Sequence, residues 1–318
     1  MRRFSCLLLA VLAGFTAGAS AKILTVALDG SGDFKAVQAA IDAAPSDSAE
    51  RTTILVRRGT YAELVVVPRE KIHLTVRGED RHGTIIAATN NAKLNPRRRE
   101  MFSVEADDFR LENLTLHNTT PKGGTQAEAI RVKADRVVLE RCDFKSFQDT
   151  LRLDGRVYAR ECDVEGDVDF VWGGGTVYFD RCEFKAMHNG YLVQARNATT
   201  VLGYVFVDCR LTATPNVERS VLARIEPVRF PHSHVAFINC ALGPHVSPAG
   251  WQLDKAPGAD VAGEVGQIRF EEYASTDLAG NRLNPSARLP ASRQLSAEAA
   301  ADRRSVGKVL RGWLPAMH

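Results

Sequence analysis

What most limits how this chain can fold is a repeat in its middle. Between Arg141 and Gly173 two units stand in tandem: Cys142-Asp143 returns as Cys162-Asp163, and Asp149 returns as Asp169, each after twenty residues. A third unit opens the same way with Cys182-Glu183-Phe184, but Asn189 stands at its position matching the aspartates. A fixed period of this length, with short β-rich runs between Gly and Asp turns, marks a solenoid in which each period is one coil. Matching residues of adjacent coils then lie about 4.8 Å apart. Asp149 and Asp169 become neighbours, and two carboxylates that close cannot both ionise without cost, so one tends to hold its proton. Two solvated turn aspartates are the plain alternative. Repulsion of this kind has no structural use, which points instead to an acid–base or nucleophile–acid pair.

Five cysteines keep the rhythm. Cys142, Cys162, Cys182, Cys209 and Cys240 sit in similar contexts (RCDF, ECDV, RCEF, DCRL, NCAL), which predicts one inward-facing ladder of small buried side chains. The last two steps lengthen, and the extra residues must form loops, which on one face of a solenoid shape a cleft. The eight histidines make no metal-ligand spacing, so neither a metal nor a cofactor is expected. Apolar content of 45% and charged content of 25% fit a soluble globular protein. The formal charge of +3 includes Arg2 and Arg3 and gives no argument for a nucleic-acid partner.

Met1 to Ala21 reads MRRFSCLLLAVLAGFTAGASA: two arginines, an apolar run too short to span a bilayer, and an A-x-A site at Ala19-Ser20-Ala21. It is expected to be a secretory signal cut after Ala21, leaving a monomer in the periplasm or medium with no membrane anchor. Phe34, Val37, Ile41 and Ala44 then recur at helical spacing, with Asp33 as N-cap and Pro45 as stop. One amphipathic helix before a solenoid makes an end cap. Short β runs follow at Ile54–Val56, Leu64–Val67, Ile72–Val76, Thr84–Ala87, Phe102–Val104 and Phe109–Leu116. Ser296 to Leu310 reads as helical, with Gly312-Trp313-Leu314-Pro315 packing the tail. No linker divides residues 22–318, so they are expected to form one all-β domain, a single-stranded parallel β-helix with an N-terminal capping helix and a C-terminal helical tail.

Three motifs make the pattern specific. Gln126-Ala127-Glu128-Ala129-Ile130 resembles the Q-A-V-A-L segment of the pectin methylesterase (pectinesterase) family. Phe147-Gln148-Asp149-Thr150-Leu151 resembles its QDTL motif, and Gly166 to Gly173, GDVDFVWG, resembles its G-x-V-D-F-I-F-G motif. Gly30 to Phe34, Gly59-Thr60-Tyr61, Gly250-Trp251 and Phe270 to Tyr273 add to a likeness, to the bacterial secreted type, that covers nearly the whole chain after Ala21. The resemblance implies a right-handed β-helix that hydrolyses galacturonate methyl esters of pectin. It implies Asp169 as nucleophile, Asp149 as general acid–base, Gln126 and Gln148 as oxyanion donors, and Arg224 as partner of the nucleophile. Gln126, Arg224, Phe170 and Trp172 are expected to meet the substrate. Spacing alone pairs Cys162 equally well with Cys142 or Cys182. The resemblance favours a Cys142–Cys162 disulfide.

The chain departs from that pattern at Glu226, where many members have a sugar-stacking tryptophan, at Arg152 after the QDTL motif, and at Asp167 before Val168. Glu226 is expected to repel de-esterified galacturonate. Phe230 and Trp172 are the aromatic residues left to replace the missing stacking surface. Other functions on a β-helix are a polygalacturonase-like glycosidase, a thioesterase-like relative, and a sugar-binding module without catalysis. Methanol marks the esterase, new reducing ends mark the glycosidase, and neither marks a binder.

Overall fold

The computed structural model describes residues 22–198, 201–254 and 267–316. The expected signal segment lies outside them. From Lys22–Val26 to Ser292–Gln294 the chain lays down an 11-stranded sheet, one strand per coil, and winds a 14-stranded sheet beside it. Every ladder joining named strands is parallel, for example Thr52–Val56 on Leu74–Gly78 and Val137–Glu140 on Arg156–Arg160. The fold is the expected right-handed parallel β-helix.

Register follows the repeat. Asp143 pairs with Asp163, Asp163 with Glu183, Glu183 with Arg210, and Arg210 with Ala241. The cysteine before each therefore joins one ladder through the core. The residue before each cysteine (Arg141, Glu161, Arg181, Asp208, Asn239) has φ between 50° and 54° and turns the chain from one sheet into the next. Such left-handed corners are uncommon for residues other than glycine. Asn113, with φ 56°, makes the same corner and splits the expected run Phe109–Leu116 into strands Arg110–Glu112 and Thr115–Asn118.

The five thiols are buried and free, so the expected Cys142–Cys162 disulfide is absent. Neighbours in a parallel in-register ladder point the same way. Their Cβ atoms stay about as far apart as the strands, about 4.8 Å, whereas a disulfide needs about 3.8 Å. Each thiol turns to the main chain instead: Cys142 Sγ donates to Glu140 O at 3.3 Å and Cys162 Sγ to Arg160 O at 3.3 Å.

Ring stacking continues the ladder. Phe206 lies 4.6 Å from Phe179 and 4.4 Å from Phe237, nearly parallel to each, and Trp251 stacks on Phe270 at 4.6 Å. Offset stacks of this kind add to the burial of large apolar surface.

Helices cover the first coils and one flank of the stack. The helix Val37–Ala43 packs Val37, Ala40 and Ile41 into the first coils. Asp33 is not its cap: its carboxylate accepts from Thr25 N at 2.8 Å. Glu63, from another coil, accepts from Val37 N and Gln38 N at 2.8 and 2.9 Å and satisfies the free helix end. At the other terminus the helices Ala297–Arg304 and Val306–Val309, N-capped by Ser296 and Ser305, lie on the outer face of the 11-stranded sheet. There Ala300, Val309 and Leu310 cover Tyr178, Val205, Ala236 and Ile238, and Trp313 packs against the same patch.

Candidate active site

Two adjacent coils supply the aspartates. Leu151 pairs with Val171, and Asp149 and Asp169 each stand two residues earlier, so they are aligned as the twenty-residue step requires. Asp149 N donates to Val168 O at 3.0 Å and locks the two segments together. Both aspartates have left-handed backbone, with φ 68° and 50°, and both are buried. The same left-handed backbone makes the coil corners at Arg141 and Arg181, so it belongs to the winding of the chain and not to the site alone.

Asp169 lies in strand Asp163–Gly173 opposite a register shift: Val168 pairs with Tyr191 and Val171 with Val193. Two residues, Asp169 and Phe170, thus face Leu192 alone, and such a bulge re-aims side chains. An earlier shift corrects the match with Asn189: Gly166 pairs with Ala186 and Val168 with Tyr191, so Asp167 alone faces Met187 to Gly190. Leu192 stands opposite Asp169, and Asn189 accepts from Glu218 N and Arg219 N. The bulge also removes Phe170 from the substrate surface. It is buried in the core against Gly166, where a Cβ would fall 2.1 Å from the Cβ of Phe170.

Arg224, in strand Ser220–Ile225, grips Asp169 with both ends of its guanidinium: Nε donates to Oδ1 at 2.7 Å and Nη2 to Oδ2. It rests over the Tyr191 ring at 4.5 Å and reaches Asp254 at 3.5 Å. Burial raises the pKa of Asp169, and the two bonds from Arg224 oppose that rise. Asp149 has less support. Its contact is Arg99 Nη2, at 3.1 Å, and Arg99 also donates to Glu128 at 2.7 Å. Burial first, then the carboxylate of Glu128, push Asp149 up to about 8. The bidentate arginine thus favours the charged form of Asp169, while burial and Glu128 favour the protonated form of Asp149.

Gln148 and Gln126 are half-buried beside this pair. Ala127 N donates to Gln148 O at 3.1 Å, which stacks the two motifs in adjacent coils. Gln126 Oε1 accepts from Thr125 Oγ1 at 2.7 Å. Neither glutamine amide nitrogen donates to a protein acceptor among the described residues. A cleft of about 500 Å³ opens beside the pair, lined by Lys122, Thr125, Gln148, Val168, His188 and Asn216; Gln148 is the site residue in its wall, and the two aspartates lie outside it. Asn216, in a turn of the lengthened coil between Cys209 and Cys240, borders the cleft as expected of such loops.

Trp172 does not offer a sugar-stacking face. It is 4% exposed, and the guanidinium groups of Arg152, Arg196 and Arg99 lie over its ring at 4.4, 4.7 and 5.0 Å. Arg196 is shared with Phe230 at 5.1 Å. Glu226 is paired with Arg229 at 3.0 Å, so the repulsion expected from it is offset. Sequence reasoning missed Arg99, Arg196 and the third acid, Glu128. A signal for Glu128 was present: it stands two residues before Ile130, which pairs with Leu151.

An aspartate held ionised by arginine, stacked on an aspartate held protonated, defines a class: parallel β-helices with a paired-carboxylate centre on one sheet. Residues 23–312 match the pectinesterase family, and the chain belongs to it. It is 35% identical over 209 residues to Pectinesterase 31 of Arabidopsis thaliana, covering 61% of this chain and 66% of that protein. It spans 31% and 49% of two longer Arabidopsis relatives. The pectin methylesterase from carrot superposes with a TM-score of 0.82 at 25% identity, covering 93% of this chain and 95% of that one. The pectin methylesterase from Yersinia enterocolitica superposes with 0.73 at 26%, covering 88% and 99%.

Proposed function

We propose that this protein hydrolyses the methyl esters of galacturonate in pectin, releasing methanol and leaving pectate. The observation that carries the reading is the bidentate Arg224–Asp169 pair one coil from the protonated Asp149. Membership of the family supports the substrate. In this reading Asp169 Oδ attacks the ester carbonyl carbon, and the carbonyl electrons pass to its oxygen. Gln126 and Gln148 donate N–H groups to that oxyanion, and removing one such donor costs about 3–4 kcal/mol where geometry is good. As the carbonyl re-forms, the C–O bond to methoxide breaks, and Asp149 gives the leaving oxygen its proton. Asp149, now ionised, takes a proton from water, which attacks the acyl-aspartate and frees Asp169. A carboxylate is a weak nucleophile, so its aim by Arg224 is what the step needs most.

The test is methanol release from methyl-esterified polygalacturonan. Methanol without new reducing ends supports the esterase. Reducing ends, or hydrolysis of acyl thioesters with no methanol from any pectin, would overturn it. The reading extends to location: residues 1–21 direct export and are removed, and the remainder works as a monomer without a membrane anchor. An intact Met1 on active protein recovered from the medium or periplasm, or a dimer on sizing, would count against those parts.

A further inference from the structure

The mechanism leaves a buried acid unused. Glu128 lies at the position equivalent to Asp149 one coil earlier, and each stands two residues before a member of the Ile130–Leu151 pair. Where the family segment it resembles has an apolar valine, this chain has a fully buried carboxyl. Its Oε1 accepts from Arg99 Nε at 2.7 Å, and its Oε2 has no hydrogen-bond partner. The same guanidinium reaches Asp149 Oδ2 with Nη2 at 3.1 Å. One cation thus serves two acids in successive coils.

We propose that Glu128 is a positioning residue for the acid–base step: it commits the charge of Arg99 to itself and leaves Asp149 neutral, ready to protonate the departing alcohol. This rests on the reading of Asp149 as the acid. A guanidinium keeps its charge inside proteins. Three groups sharing one positive charge are therefore neutral overall when one carboxyl is ionised and the other protonated. A buried ion that loses its partner is heavily penalised, so the ionised acid is the one nearer the cation. That is Glu128. Asp149 faces the further negative charge of Asp169, which also favours its protonation. The remaining charges nearby are occupied. Arg131 stands 3.7 Å from Glu100, and Arg224 holds Asp169. Arg196, the other cation facing Asp149, donates Nε to Gln194 Oε1 at 3.0 Å and lies over Trp172. With an apolar residue at position 128, Arg99 would pair with Asp149 alone and favour its ionised form.

The test is the pH profile of kcat on a methyl-esterified oligogalacturonate for wild type, Glu128→Gln and Glu128→Val. Loss of the Glu128 charge is expected to move the alkaline limb to lower pH by about one unit or more, so the ratio of kcat at pH 6 to kcat at pH 8 rises about fivefold or more. Arg99→Gln is expected to move the limb the opposite way. A loss of kcat by one factor at every pH, with the limb unmoved, would mean that Glu128 is only structural and would overturn the proposal. If a variant folds poorly, a ¹³C carboxyl titration of Asp149 in the folded fraction reads the same shift, and an unmoved titration overturns the proposal equally. Asp149→Asn separates the two readings. If it stays fully active on methyl esters, the acid assignment itself fails. If it is inactive while the Glu128 variants keep the wild-type limb, only this inference fails.

Discussion

Asp149 and Asp169 are the same side chain in two surroundings, and the difference lies in which cation each owns. Asp169 owns Arg224, while Asp149 shares Arg99. Activity is therefore expected to fall as pH rises through about 8, where Asp149 loses its proton. Asn tolerates left-handed backbone better than most residues, so Asp149→Asn and Asp169→Asn should keep the fold at φ 68° and 50°. Each is expected to cut methanol release by at least about a hundredfold. Rapid-quench mass spectrometry should find no acyl-enzyme in Asp169→Asn. Asp149→Asn should regain part of its rate on an activated aryl ester, whose leaving group needs no proton, and equal losses on both esters would count against the acid role. Stability should move the other way. The pKa of Asp149 rises from about 3.9 in the unfolded chain to about 8 in the fold. Its contribution is complete below the lower value and is lost as pH climbs through the upper one, because unfolding then releases a proton. Asp149→Asn is thus expected to raise the melting temperature relative to wild type at pH 8 and to change it little at pH 4.

At the scale of the element, strand Asp163–Gly173 shows how much was legible in advance. The twenty-residue step put Asp149 beside Asp169 and stacked the cysteines, because register in a parallel stack is a matter of counting. The bulge at Asp169 and Phe170 was not legible, since nothing in Val168-Asp169-Phe170 states that two residues will face one. The inward turn of Phe170 follows from that bulge, and the misplaced Asn189 follows from the shift before it, where Asp167 alone faces Met187 to Gly190. The helix cap was missed for another reason: Glu63 is 26 residues from Val37 N, and capping rules read only local sequence. Glu63→Ala is expected to cost about 1 kcal/mol in urea unfolding, whereas Asp33→Ala should not loosen the helix itself. The disulfide expectation failed on direction, because stacked side chains share a distance but point in parallel. Alkylation without reductant should label Cys142, Cys162, Cys182, Cys209 and Cys240 once the chain is unfolded, and leave them unlabelled in the fold. A mass consistent with one disulfide would contradict the ladder.

The whole molecule is a stack in which each coil rests mainly on the coils before and after it, and the site draws on several successive coils. Cutting the chain after Gln294 is expected to leave the coils formed but to bare Tyr178, Val205, Ala236 and Ile238, and light scattering should report association that the full chain does not show. The closure of the stack by the helix Val37–Ala43 carries a wider consequence. Parallel strands stacked in register have no built-in end, and here Asp33 and Phe34 take up the outer edge of the first strand through Thr25 and Ala27. A copy without its cap could therefore seat its first coil on the last coil of another, head to tail, and nothing in that geometry closes a ring. The short helix held by Glu63 thus covers the end on which such a filament would grow.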